Sequence, residues 1–453
     1  MRRMCCGQSY KRQIYLRSVV RLTLQNREVT LVRELQALEL SDQCTGVLIL
    51  IKPIKGGCSM KYFRIKMAAI LIAIFGLVAG PLSGAALAAT KVALVLDVGG
   101  RGDLSFNDMG FKGADEAVQK LGVELVEIQS NSAADYLPNL QNAARSGAFD
   151  IIIGVGFLLA DSMAEVADQF PDQKFGIIDV TWLGKPNLME IGYEENKGSA
   201  LVGALGAMTA AHYGYDKIGV VLGIEIPVLY KFEAGYRYGM HWGNAKYAEV
   251  TGKNPGVGLL WNYTGTFSDI AKGKAATEAM LAQGAGMIYN VAGPLGIGDL
   301  EAITEHLEAK GKSAGPPFMI GVDANQDYLG DGHRVLASMM KRVDFGVYSA
   351  IESVVNGSFK AGVKILGPGN GGIAISRRQD LADFIDFGIK GGVITEADRG
   401  SITANWDAMR AAVPGWIWDA VGELEDKISS GEAEIPCGWC PDTIGDIRNQ
   451  YPD

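Results

Sequence analysis

KVALVLDVGGRGDLSFNDMGFKGADEAV, residues 91–118, opens with an apolar run, Lys91–Leu96, that is bounded by turn signals and too short for a helix. This predicts a buried strand, with Asp97 at its carboxyl end. Gly99, Gly100 and Gly102 allow a sharp turn, and Ser105, Asn107 and Asp108 are each able to cap the amphipathic helix that follows. Ligands of open α/β sheets sit outside the carboxyl ends of the strands, so Asp97, Ser105, Phe106 and Asn107 are expected to face one. Gly100-Arg101-Gly102 begins like a dinucleotide fingerprint, but Ser105 stands at the third glycine position and the turn itself explains the glycines. On position alone Phe106 can equally be core, and Asn107 or Asp108 a simple cap.

Outward from this stretch the same grammar repeats. VALVL, VELVEI, IIIGVG, FGIID and MEIGY alternate with helical patterns, which argues for parallel βαβ units. After the long apolar stretch GSALVGALGAMTAAHYG the rhythm restarts with KIGVVLGIE, GVGLLWNYT, GMIYNVAG and FMIGVDAN, predicting two α/β lobes. The polar EENKG run at 194–198 is the expected first crossover, and ILGPGNGG marks a turn or hinge. CGWCPDTIGDIRNQYPD reads as an irregular tail.

Several later strands end as the first does. Asp179 closes FGIID, Asp323 closes MIGVD, Phe267 lies in TGTFSD, and Gly293 follows MIYNVA. A buried carboxylate needs hydroxyls, N–H groups or a cation, although any single one of these can instead cap the next helix. Lys341 stands among apolar residues, where snorkelling to solvent competes with pairing in a cleft. The four histidines lack metal-ligand spacing and no nucleophile motif appears, so neither an enzyme nor a cofactor or metal is expected. Aromatics, carboxylates and one amide at strand ends suit a planar, polyhydroxylated solute, since rings stack and vicinal hydroxyls donate to carboxylates.

The beginning of the chain reads differently. Residues 1–59 carry four of the six cysteines and no sustained period, and are expected to be an upstream extension not native to the protein. From Met60 a basic start, an apolar run and the small residues Ala86-Leu87-Ala88 read as a secretory signal, residues 60–88, with translation starting at Met60; a retained signal anchor is the rival reading. No cysteine follows the apolar run, so a lipid anchor is not expected. Cys437 and Cys440 would remain after cleavage, as a disulfide or inert clip in an oxidising compartment or else as a redox dithiol. A net charge of −9 without basic patches argues against nucleic acid as a partner.

DVGGRGDLSFND, GVGF, FGIID, IGYEENKGSALVGALGA, GVVLGIEIPVLYKFEAGYRYG, TGTFSD with GKAA, YNVAGPLGIG, GVDANQ and SMMKRVD resemble, in order, the signature segments of the basic membrane protein family. Its members are extracytoplasmic solute-binding components of ABC importers, similar to bacterial purine nucleoside receptors. The resemblance implies a type I periplasmic-binding-protein clamshell, with three crossovers joining lobe 1 (89–194 and 323–364) to lobe 2 (195–322 and 365–430), and a tail at 431–453. It also implies a monomeric periplasmic protein that hands a nucleoside to an inner-membrane permease. By position, Phe106 would stack on a purine, with Asp97 and Asn107 making polar contacts beside Ser105. Asp179 would touch the nucleoside from the same lobe. Phe267 and Gly293 would face it from the second lobe, Asp323 would bind ribose hydroxyls, and Lys341 would pair with Asp323. Pro294 replaces the family's second glycine, and Leu104 stands where a lysine is common. A base or sugar receptor, a sensory receptor, and a nucleoside hydrolase are the alternative functions.

Overall fold

Apolar runs with no polar alternation suit strands covered on both faces, and five residues of the first, Val92 to Leu96, are fully buried. The computed structural model describes residues 17–24, 27–34, 89–439 and 441–453. β1 (Arg17–Leu24) and β2 (Arg27–Glu34) pair antiparallel within a separate unit, Met1–Leu87. The expected signal sequence at 60–88 and Cys440, hence the Cys437–Cys440 pair, lie outside the described residues.

The remaining elements form a second unit, Ala88–Asp453. Its first half runs β3 (Lys91–Leu96), α1 (Phe106–Leu121), β4 (Glu124–Gln129), α2 (Tyr136–Ser146), β5 (Ile151–Val155), α3 (Ala160–Gln169), β6 (Phe175–Ile178) and β7 (Leu188–Tyr193). The chain then passes into α4 (Glu195–His212), β8 (Lys217–Leu222), α5 (Pro227–Thr251), β9 (Gly258–Tyr263), α6 (Ile270–Ala282), β10 (Ala285–Val291), α7 (Leu295–Ala309), β11 (Phe318–Asp323) and β12 (Val335–Lys341). α8 (Val343–Val355) and β13 (Gly362–Leu366) precede β14 (Ile373–Ile375) and four helices: α9 (Arg378–Lys390), α10 (Arg399–Ala411), α11 (Gly415–Ser430) and α12 (Ile444–Gln450).

One sheet has the order β13-β7-β6-β5-β3-β4 and is parallel throughout; the other runs β14-β12-β11-β10-β8-β9, with only β14 antiparallel. Each sheet, flanked by its helices, makes one lobe. The chain crosses between them between β7 and α4, between β12 and α8, and between β13 and β14. The second crossing corrects the boundary expected at 323. β11 and β12 hydrogen-bond to each other in the second sheet, with Asp323 opposite Met340, so residues 323–341 belong to lobe 2 and the return begins at Arg342. Two of the crossings are tied to the third: Glu194 N donates to Leu366 O, and Arg342 N to Gly372 O, each at 2.9 Å.

α4 is apolar around its whole circumference because it is buried on all sides, with Ser199 through Ala210 all inaccessible. It packs closely on α5, where Gly235, Gly239 and Gly243 recur at one-turn spacing. A Cβ at Gly239 would overlap the Ala200 carbonyl. Among the described residues no helix is long and apolar enough to cross a membrane.

The tail is more ordered than its composition suggests. Thr443 and Asp446 form a capping box that starts α12, and Arg448 on that helix holds the buried Glu233 of α5 at 2.8 and 2.9 Å. A polar cluster likewise fastens α10 to the second sheet: Asp327 accepts from Ser338 Oγ, Ser376 Oγ and Trp406 Nε1 at 2.7, 2.8 and 2.9 Å.

Candidate functional site

In the turn after β3, the residue that caps α1 is Asp103, and none of the three caps expected from the sequence. Its Oδ1 accepts from the N–H groups of Ser105 and Asp108 at 2.9 and 3.0 Å, and its Oδ2 from that of Asn107 at 2.7 Å. Capping by Asp103 frees the side chains of Ser105 and Asn107 for other work. Ser105 Oγ reaches lobe 2, lying 2.9 Å from Asp323 Oδ2 and 3.1 Å from the Val322 carbonyl. Asn107 Nδ2 donates to Asp97 Oδ1 at 2.8 Å and to Asp103 Oδ2 at 3.2 Å. Two carboxylate partners fix the amide's orientation, so its Oδ1 is left as a buried acceptor with no partner.

These groups converge on a cavity between the lobes, where small-molecule sites commonly lie. Lobe 1 contributes Asp97, Phe106, Asn107 and Asp179 to its wall; lobe 2 contributes Phe267, Gly293, Asp323 and Lys341. Of the nine residues singled out from the sequence, Ser105 alone is off the wall, fully buried behind Asp323. The Phe267 ring is seated on Gly223, where any Cβ would overlap it. Asp179 and Asp323 hold the same unusual backbone, with φ 71° and 63°. For a residue other than glycine that conformation costs about 1–3 kcal/mol, and it turns both carboxylates at their strand ends.

Lys341 is buried and paired rather than snorkelling. Its ammonium donates to Asp179 Oδ2 at 2.7 Å and forms ion pairs with Asp179 Oδ1 and Glu195 Oε1 at 2.6 and 3.1 Å. Glu195 Oε2 in turn accepts from Lys231, which also binds the Tyr193 carbonyl. The expected Lys341–Asp323 pair is not among the ion pairs of the described residues; Asp323 bonds to Ser105 instead.

Burial disfavours the charged state of every one of these groups, and neighbours decide the outcome. Asp97 and Asp323 are pushed up to about 6 by burial, against the pull of Asn107 on the first and of Lys341 and Ser105 on the second. Asp103 is raised to about 7 by burial and by Asp108. Burial would lower Lys341, but Asp179, Glu195 and Asp323 outweigh it and keep the ammonium protonated.

Phe157, Phe232, Asp103, Lys231 and Glu195 belong to the site or to its support but are not among the nine residues chosen from the sequence. Phe157 ends the GVGF segment, two residues beyond β5, a strand-end position like those of the other site residues; it lines the cavity and meets the exposed Trp182 at 5.3 Å between ring centres. Lys231 and Phe232 lie in the first turns of α5, whose periodicity does not say which end meets the crossovers. A positional signal did exist for Glu195, which opens a helix directly after a strand.

Two α/β lobes, three crossovers and a cavity walled by both define a solute-binding clamshell of the type I periplasmic class. Residues 90–386 match the Bmp family, described as ABC transporter substrate-binding protein PnrA-like, and the chain belongs to that family. An uncharacterized lipoprotein of Pyrococcus furiosus is 38% identical over 382 residues, covering 83% of this chain and 93% of that protein. The ABC transporter nucleoside-binding protein BmpA of Lactococcus lactis is 30% identical over 322 residues, 67% of this chain and 88% of that protein. Among solved structures, an ABC transporter system solute-binding protein from Aeropyrum pernix has 34% identity and a TM-score of 0.72, covering 80% of this chain and 97% of that one.

Proposed function

We propose that this substrate-binding protein takes a nucleoside, a purine one, into the interlobe cavity and delivers it unchanged to an ABC permease outside the cytoplasm. The observation that carries this reading is the division of labour across the cavity. Phe106 and Phe267, from opposite lobes, supply faces for a flat ring, and Asn107 Oδ1 and the free oxygen of Asp323 supply acceptors for its amino and hydroxyl groups. Stacking a base on an aromatic ring is worth about 1–3 kcal/mol. A ring gripped from both lobes stabilises the closed form more than the open one, as a transport receptor requires. The name of the Lactococcus relative agrees with this choice of solute. The Pyrococcus relatives are named lipoproteins; in this chain no cysteine stands directly after the apolar run that follows Met60.

A thermal-shift screen against nucleosides, bases and sugars tests the reading, because a ligand at about one hundred times its Kd adds about 2.7 kcal/mol to stability. Inosine, guanosine or adenosine should raise the melting temperature. If all three leave it unmoved while a sugar or another solute class raises it, the nucleoside assignment fails.

A further inference from the structure

Three carboxylates surround the single cation of the cavity. Asp179 and Glu195 hold Lys341 Nζ at 2.6 and 3.1 Å, while Asp323, close enough to be drawn to it, keeps one oxygen on Ser105 and the other free. Glu195 does not line the cavity and is fully buried; it opens α4 directly after the first crossover, whereas Lys341 ends β12 directly before the second. Its second oxygen is occupied by Lys231, which is anchored in turn on the Tyr193 carbonyl. Glu195 is thus fixed at both ends and cannot follow Lys341 if that side chain moves.

We propose that Glu195 is a positioning residue for selectivity: by holding Lys341 toward the crossovers it keeps the ammonium off Asp323, so that Asp323 stays free to accept two sugar hydroxyls. The proposal rests on the reading of the cavity as a nucleoside site. Its physical basis is competition. A buried ammonium takes the best-placed carboxylates within reach, and removing one of them strengthens its attraction to the next. With Glu195 neutral, Lys341 moves toward Asp323, and a carboxylate engaged by an ammonium is a poorer acceptor for vicinal hydroxyls. The stacking surfaces of Phe106 and Phe267 are not involved, so the loss falls on the sugar and spares the base.

The test is calorimetric titration of inosine and of 2′,3′-dideoxyinosine into the unsubstituted chain, Glu195→Gln, and Glu195→Gln/Lys231→Met. The double variant removes both members of the Glu195–Lys231 ion pair and guards against misfolding of the single one. Inosine affinity should fall about tenfold or more in both variants, with the dideoxy analogue changing about threefold or less. Equal losses for the two ligands, or no loss for inosine, overturn the positioning role while leaving the nucleoside site standing. If the unsubstituted chain does not distinguish inosine from its dideoxy analogue, the assignment of Asp323 to the sugar fails, and this inference falls with it.

Discussion

Ser105 Oγ lies 2.9 Å from Asp323 Oδ2, a buried bond between residues 218 positions apart that joins the turn after the first strand of lobe 1 to a strand end of lobe 2. It links the two lobes at the wall of the cavity, which Asp323 lines. Ser105→Ala should lower inosine affinity about fivefold and stability by about 1 kcal/mol. Calorimetry and thermal melting read the two effects separately; unchanged affinity would leave the bond with a purely structural role.

The raised carboxyl groups make both stability and binding depend on pH. Asp97, Asp103 and Asp323 bind a proton more tightly in the folded chain, at about 6, 7 and 6, than at the ordinary value near 4. Their contribution to stability is therefore fully present below about pH 4 and is lost as the pH rises through 6 to 7. Hydroxyls that donate to Asp323 favour its ionised form, so inosine should bind more tightly at pH 7 than at pH 5 and release protons near pH 6. Titration in two buffers of different ionisation enthalpy measures that release; proton uptake would contradict it.

Gly156 lies where the cavity has no room for a side chain. Its φ is 123°, and a Cβ there would come 2.7 Å from Asp97 Oδ2 and 3.4 Å from the Phe106 ring. Gly156→Ala should cost about 1–3 kcal/mol of stability through backbone strain and abolish measurable inosine binding in titrations of the folded variant.

Asp327 separates stability from binding. It is fully buried and satisfies two serine hydroxyls and the Trp406 indole, well behind the cavity wall. Asp327→Ala leaves those donors without their acceptor and should cost about 3 kcal/mol or more. Below the lowered melting temperature, inosine affinity should stay within about twofold of the unsubstituted chain.

The alternation of apolar runs with helical stretches made two parallel-sheet lobes legible, because strands buried on both faces leave an unbroken signature. The placement of Asp97, Asp179 and Asp323 followed from their positions at strand ends. What the chain could not reveal was pairing over distance. Asp103 displaced Ser105 as the cap because its carboxylate takes three N–H groups at once. Lys341 pairs with Asp179, just after β6, and with Glu195, at the start of α4, rather than with Asp323. Residues 323–341 were assigned to the wrong lobe because a crossover carries no composition of its own when the strands on either side are equally apolar. The tail looked irregular because α12 is short, and the tail is held from more than 200 positions earlier, by Glu233 at Arg448 and by Arg237 at Asp453.

Calorimetric titration of inosine into the chain and into Phe106→Ala and Phe267→Ala tests the two-sided grip on the ring most directly. Each substitution should weaken binding about tenfold or more, with the ligand-free melting temperature little changed, since both rings are only partly buried. Inosine binding that survives both substitutions at unaltered affinity would contradict the account.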